Sequence, residues 1–180
     1  MDIPSLQKAL LDPKIYPDLP RKVELIETHI SLVFLTREYV YKVKKPVDFG
    51  FLNFTSLDKR KFFCEQEVRL NRRLSPDIYL GVVEITFDRN GISLNGKGQV
   101  EEYAVQMRRI PEELLLDKLL QKGQVNREMM KALSEKLARF YVSAETNEHI
   151  NSFAKPERVK QDTDENFEKL LICSFVSAET

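Results

Sequence analysis

Lys42 and Glu67 are the residues whose types and spacing could carry chemistry. Lys42 lies in Tyr39–Val43, a run that alternates as a β-strand does, with Tyr41 and Val43 on either side and Lys44 on its own face. Glu67 stands four residues after Phe63 and three before Leu70, on an apolar stripe of helical period that continues to Leu74. A carboxylate in such a stripe is expensive unless it is paired. Removing one partner of a buried pair costs roughly 3–5 kcal/mol. A lysine on the neighbouring sheet is the natural partner, and the two together can hold an ammonium against the phosphates of a nucleotide. The same spacing also describes a solvated charge on the rim of an amphipathic helix.

Other reactive residue types are scattered. Cys64 and Cys173 are far apart and belong to no CxxC or Cys/His cluster, which argues against a disulfide framework or a zinc site and for a reducing compartment. His149 stands among Asn147, Glu148 and Asn151 and reads as a surface histidine. The acidic run Asp162–Glu165 lacks the glycine that a calcium loop needs and reads as a solvated helix start. No G-x-x-x-x-G-K-[ST] sequence is present. Met129–Met130 and Phe62–Phe63 read as core.

The elements that must position Lys42 and Glu67 can be read from periodicity. A short helix over Ser5–Leu11 is followed by Pro13, Pro17 and Pro20. Val23–Ile26, Leu32–Thr36 and Tyr39–Val43 are strand segments separated by short polar turns, and Pro46–Thr55 is a loop. A helix runs from Asp58 to about Leu74, and Ser75–Pro76–Asp77 ends it. Gly81–Phe87 and Ile92–Leu94 flank a turn at Arg89–Asn90–Gly91, and Val100–Met107 is a further strand. Beyond Pro111 the chain is helical: Glu112–Lys122 ends at Gly123, Asn126 caps a long helix to about Ala144, and a last helix follows Pro156. The long helix carries Met130, Leu133, Leu137, Phe140 and Ala144 on one stripe. The outline is α+β, an antiparallel sheet of about five strands with one inserted helix and then a helical portion. The pentapeptide VSAET at Val142–Thr146 and Val176–Thr180 is not accompanied by any further repeat.

The 180 residues balance 28 Lys+Arg against 28 Asp+Glu, and 42% hydrophobic with 31% charged residues is a globular composition. The zero net charge conceals two unlike parts. Arg37–Arg73 holds ten basic and five acidic residues, whereas Glu145–Thr180 holds eight acidic and four basic ones. Zero overall charge, with Glu65 and Glu67 interrupting the basic stretch, argues against nucleic acid as a partner. The start, MDIPSLQKALLDPK, has no basic region followed by an apolar one. No apolar run approaches the ~18 residues of a membrane-spanning helix. A cytoplasmic protein with no membrane partner is the expectation.

The run VELIETHISLVFLTREYVYKVKKPVDFGFLNFTSLDKRKFFCEQEVRLNRRLSPDIYLGVV, continuing into EEYAVQMRRIPEELLLDKLL, resembles the aminoglycoside-phosphotransferase-like branch of the protein-kinase-like superfamily. More closely, it is similar to bacterial proteins in which such a domain precedes a P-loop ATP-binding domain. The resemblance covers about Val23 to Ala144. It implies an N-terminal extension over 1–22, a kinase-like N-lobe with hinge over 23–110, and a partial helical C-lobe over 111–180. Lys42 would take the place of the strand lysine that grips the α- and β-phosphates, and Glu67 that of its helix partner. Gln106, Met107 and Arg108, with Arg109, would form the hinge whose backbone meets the adenine. Glu27–Ser31 would be the phosphate-covering turn, with Thr28 and Ser31 offering hydroxyls where the family's kinases have glycines; a plain β-turn is the alternative there.

The implied cofactor is ATP with magnesium, and the implied reaction is phosphoryl transfer to a small molecule bearing a hydroxyl or amine. Asp48–Phe49–Gly50 spells a magnesium-binding triplet, but it precedes the helix of Glu67 and so reads as a shaper of the strand-to-helix loop. No H-G-D-x-x-x-x-N catalytic loop is present, since neither His29 nor His149 begins one. The expectation is a lobe that binds nucleotide at most and is inactive alone. A non-catalytic interaction module of the same fold, self-associating through the incomplete helical lobe, is the competing expectation.

Overall fold

The computed structural model describes residues 2–176, with side chains described for residues 2–168. Ser177–Thr180, most of the second VSAET copy, lie outside the described residues. The described residues divide into two compact units, one ending at Lys136 and the other beginning at Leu137.

The first unit is built on a six-stranded, wholly antiparallel sheet in the order β1-β2-β3-β6-β4-β5. The strands are β1 (Glu24–Glu27), β2 (Ser31–Leu35), β3 (Tyr39–Lys44), β4 (Tyr79–Asp88), β5 (Gly91–Leu94) and β6 (Gln99–Arg108). The α+β class is as read from the sequence, but the strand count is six rather than five, because the short segments at both edges pair. Turn chemistry closes the hairpins. The Thr36 hydroxyl accepts from the Tyr39 amide at 3.1 Å and donates to the Tyr39 carbonyl at 3.0 Å, joining β2 to β3. Between β4 and β5 the Asp88 carboxylate accepts from the Asn90 amide, and Gly91 takes a φ of 105° that a residue with a Cβ adopts only under strain.

Alternation gives the sheet two different faces. On one, Leu32, Phe34, Tyr41, Val43, Val83, Ile85 and Ala104 pack with Leu6 and Leu10 of helix α1 (Ile3–Leu10) and with Tyr16. The Tyr16 ring lies 5.0 Å from that of Tyr41, and its hydroxyl donates to the Leu10 carbonyl at 2.6 Å. The segment 1–22, expected as an extension, thus supplies three buried side chains to the main core. Helix α1 starts two residues earlier than Ser5 because the Asp2 carboxylate accepts from the Ser5 amide and caps it.

The opposite face is covered by α2 (Leu57–Asn71), capped by the Ser56 hydroxyl. Cys64 and Val68 of α2 pack on Tyr103 and Val105 of β6, with Val82 and Met107 at the margin. The stripe expected to face the sheet (Phe63, Leu70, Leu74) is not the buried one. Leu70 is 46% exposed, and the buried helix residues are Arg60, Cys64 and Val68, one row around. An arginine occupies an inward position, so counting apolar residues alone turned the helix the wrong way.

Beyond β6 the expected helix Glu112–Lys122 is divided: a 3₁₀ turn at Glu112–Leu114 precedes α3 (Leu116–Gln121), and Gly123 follows it with a φ of 63°. Helix α4 (Arg127–Ser143) starts where expected, with the Asn126 side chain accepting from the Met129 amide at 2.8 Å. The unit boundary falls within α4. The second unit adds α5 (Glu148–Ser152), which periodicity did not reveal, and α6 (Pro156–Val176). Among the described residues no helix is long and apolar enough to cross a membrane.

Candidate functional site

Strand alternation sends Lys42 and Lys44 of β3 toward α2, between Tyr41 and Val43, which point into the other core. Glu67 lies beside Cys64 and Val68 on the inward side of α2 and meets both ammoniums. Lys42 Nζ donates to Glu67 Oε1 at 3.0 Å, and Lys44 Nζ donates to Oε2 at 2.6 Å. The pairing of Lys42 with Glu67 is thus present as a contact between strand and helix. The second lysine was not assigned a role from the sequence, although its place two residues along the same strand face was the available signal.

The two lysines sit in different surroundings. Side-chain exposure is 30% for Lys42, 15% for Glu67 and 6% for Lys44. Lys44 Nζ also lies 4.9 Å from the centre of the buried Phe54 ring, a cation–π contact. Burial pulls the Glu67 carboxyl upward, but the hydrogen bonds and charges of Lys44 and then Lys42 outweigh it and hold the group below its ordinary 4.5. One carboxylate facing two ammoniums leaves a net positive charge at a partly open position. Cys64 lies nearby, and burial pushes its thiol up to about 12, which leaves no nucleophilic thiolate near neutral pH.

The other expected site residues are distributed around this pair. The Thr28 hydroxyl accepts from the Ser31 amide at 2.9 Å and donates to the Ser31 carbonyl at 3.1 Å, so it closes the β1–β2 turn upon itself. Ser31 is fully buried opposite Lys44 in the strand register, and its hydroxyl has no hydrogen-bond partner among the described residues. Gln106 points to the far side of the sheet, where its amide donates to the Tyr41 hydroxyl at 3.1 Å. Met107 packs with the Cys64 and Val68 cluster, on the Lys42 side. Arg108 is exposed and its amide donates to Ile78, while the Arg109 amide donates to Glu38 and its guanidinium to Thr36. The expected hinge therefore leaves the sheet with these two amides already engaged, and only Met107 of Gln106 and Met107 shares the lysine face.

A second ion pair, missed in the sequence, joins the start of α2 to the sheet. Arg60 Nε donates to Glu102 Oε2 at 2.7 Å, with side-chain exposures of 11% and 3%. The same guanidinium donates to the carbonyls of Phe54 and Thr55, tying the loop before α2 to β6. In that loop the Asp48 carboxylate accepts from the Gly50 amide and the Asn53 amide nitrogen, so the Asp48–Phe49–Gly50 triplet shapes the loop as expected from its position. Of the basic residues on α2 and at its end, Arg60 is buried and Arg72, the C-cap, donates to the Tyr79 and Leu80 carbonyls.

The Lys42 ammonium, held by a carboxylate yet partly open, suits an anionic group such as a nucleotide phosphate. Among the described residues no group of three or more His, Cys, Asp or Glu side chains could hold a metal ion. Magnesium at a nucleotide site is held by one or two carboxylates together with substrate phosphates, and both oxygens of Glu67, the carboxylate beside Lys42, are already taken by ammoniums.

No protein-family model matches the chain. Uncharacterised proteins of Mycobacterium tuberculosis and Mycobacterium bovis are 29% identical to it over 148 residues, a match covering 82% of this chain and 28% of each relative. The chain spans less than a third of the length of these curated relatives. No solved structure matches.

Proposed function

We propose that the first unit is a nucleotide-gripping lobe of the aminoglycoside-phosphotransferase-like kind, part of an ATP-dependent phosphotransferase for small molecules. The observation that carries this reading is the Lys42–Glu67 contact at 3.0 Å between the third strand and the helix that follows it. A lysine so placed grips nucleotide phosphates in kinase-type sites, and the helix carboxylate holds its ammonium in position. The order of elements supports the reading as well: three strands, a helix, then strands of which the last leads into a helical segment. The residues present bind and orient; the catalytic-loop and magnesium motifs do not occur in these 180 residues, so this segment alone binds nucleotide without turnover. The test is a calorimetric titration with Mg-ATP, in which the wild-type chain binds and Lys42→Ala does not.

The second reading is a non-catalytic interaction module. Its specific support is the apolar surface of the helices beyond β6: Leu116, Leu120, Met130 and Leu133 are all at least 40% exposed. Light scattering at two protein concentrations distinguishes the readings. This one requires a concentration-dependent mass and no heat of nucleotide binding.

A further inference from the structure

We infer that His29, at the tip of the turn between β1 and β2, is a phosphate ligand of the nucleotide site, and that nucleotide binding tightens when its imidazole takes up a proton. The inference rests on the nucleotide-binding reading above and leaves the Lys42–Glu67 pair formed throughout.

In that reading the turn Glu27–Ser31 covers the phosphates, yet its hydroxyls are already committed. Thr28 Oγ1 bonds the Ser31 amide and carbonyl, and Ser31 is fully buried. Glu27 is an anion that holds Lys45 in an ion pair. Ile30 is apolar, and its carbonyl accepts from the Lys45 amide at 2.8 Å, which fastens the turn to the end of β3. His29 remains. It is exposed, and among the described residues its side chain has no hydrogen bond, ion pair or ring contact. The Thr28 amide donates to the Ser31 carbonyl at 2.9 Å and closes the turn, so the tip is set in place before a ligand arrives.

The register brings this tip within reach of Lys42. Val33 stands opposite Lys42 and Ser31 opposite Lys44, and His29 follows at the same two-residue spacing, roughly 13 Å along from the Lys42 pair at the rise of a strand. Phosphates that start on Lys42 and run toward the turn span much of that distance, and the imidazole covers the rest. Histidine is the side chain whose ordinary charge change falls between pH 5 and 8. The charged groups of the elements that meet here are Glu27 of β1, Lys42, Lys44 and the adjacent Lys45 of β3, and Glu67 of α2; β2 carries none. Glu27 is taken by Lys45, and Glu67, held below 4.5, keeps its charge through this range. An imidazolium gives a phosphate a charge-assisted hydrogen bond and a neutral imidazole gives a weaker one, so affinity rises as pH falls.

Two measurements test this, both with the full 180-residue chain and Mg-ATP as the probe. In the first, calorimetry compares wild type with His29→Gln at about pH 8 and about pH 5.5. The two proteins bind nearly alike at the higher pH. At the lower, the wild type binds about fivefold to tenfold more tightly, the weight of one charge-assisted contact. Both proteins meet the same nucleotide at each pH, so proton uptake by the phosphates themselves cancels. A ratio of affinities that does not change with pH overturns the inference while leaving nucleotide binding intact.

The second measurement needs no variant. The imidazole proton signals of the wild-type chain are followed by NMR through pH titrations with and without Mg-ATP. The His29 midpoint moves upward with nucleotide, while that of His149, in the second unit, does not. An unmoved His29, or equal movement of both, overturns the inference. A wild-type chain that binds no Mg-ATP overturns the nucleotide reading and this inference together.

Discussion

The two ends of α2 carry two carboxylate ion pairs built for different purposes. Near the start, Arg60 and Glu102 are 11% and 3% exposed, one charge for one charge, with the guanidinium also bound to two loop carbonyls. Two turns further on, Glu67 faces two ammoniums, one confined and one 30% exposed. The first arrangement satisfies every charge internally and serves to fasten the loop and helix to β6. The second leaves positive charge over at a place that solvent reaches. A balanced, closed pair holds a fold together, whereas an unbalanced, half-open one can accept an anion.

The sharpest way to break this comparison is Arg60→Ala. It strands the buried Glu102 carboxylate and should lower stability by about 3–5 kcal/mol, read from the urea midpoint. A much smaller loss would mean that the pair does not fasten the helix. Lys44→Ala should cost less, about 1–3 kcal/mol by the same assay, because Glu67 keeps Lys42 while the buried stem is lost.

Acid distinguishes the two carboxylates. Glu67 is held below its ordinary 4.5, so its contribution is fully present above that value and is lost as pH falls through its folded-state value. Burial pushes Glu102 above 4.5, against the Tyr103 amide and Arg60. Its contribution is therefore present below 4.5 and is lost as pH rises through its folded-state value. Urea melts of Glu67→Gln and Glu102→Gln across the acid range should show gaps from wild type that change in opposite directions on acidification. Parallel changes would contradict the contrast. The smallest stability effect belongs to Lys42→Ala, under about 1 kcal/mol, because the side chain is partly solvated and Glu67 retains Lys44.

What the sequence made legible follows from how local each signal is. Strand alternation located the paired segments, and the Asn126 cap and Gly123 stop marked helix boundaries, because these depend on neighbouring residues. The Lys42–Glu67 contact came from the family resemblance more than from periodicity, because the stripe that seemed to turn Glu67 inward is not the buried one. Arg60 was not legible as core. Its partner Glu102 is 42 residues away, and each alone reads as a surface charge. That hidden pair is also why the buried row of α2 was misplaced. Gln106 was expected as part of the hinge through its backbone, and strand alternation puts its side chain with Tyr41 on the face opposite the lysines. Lys44 was visible on the Lys42 face, yet nothing local showed that one carboxylate would take both.

The central claim is that Lys42 of the first unit grips nucleotide phosphate. Its most direct test is the Mg-ATP titration of wild type against Lys42→Ala, with both shown to be equally folded by circular dichroism. The account predicts saturable heat for the wild type and its loss in the variant. Equal binding by the two proteins, or no binding by the wild type, would contradict it.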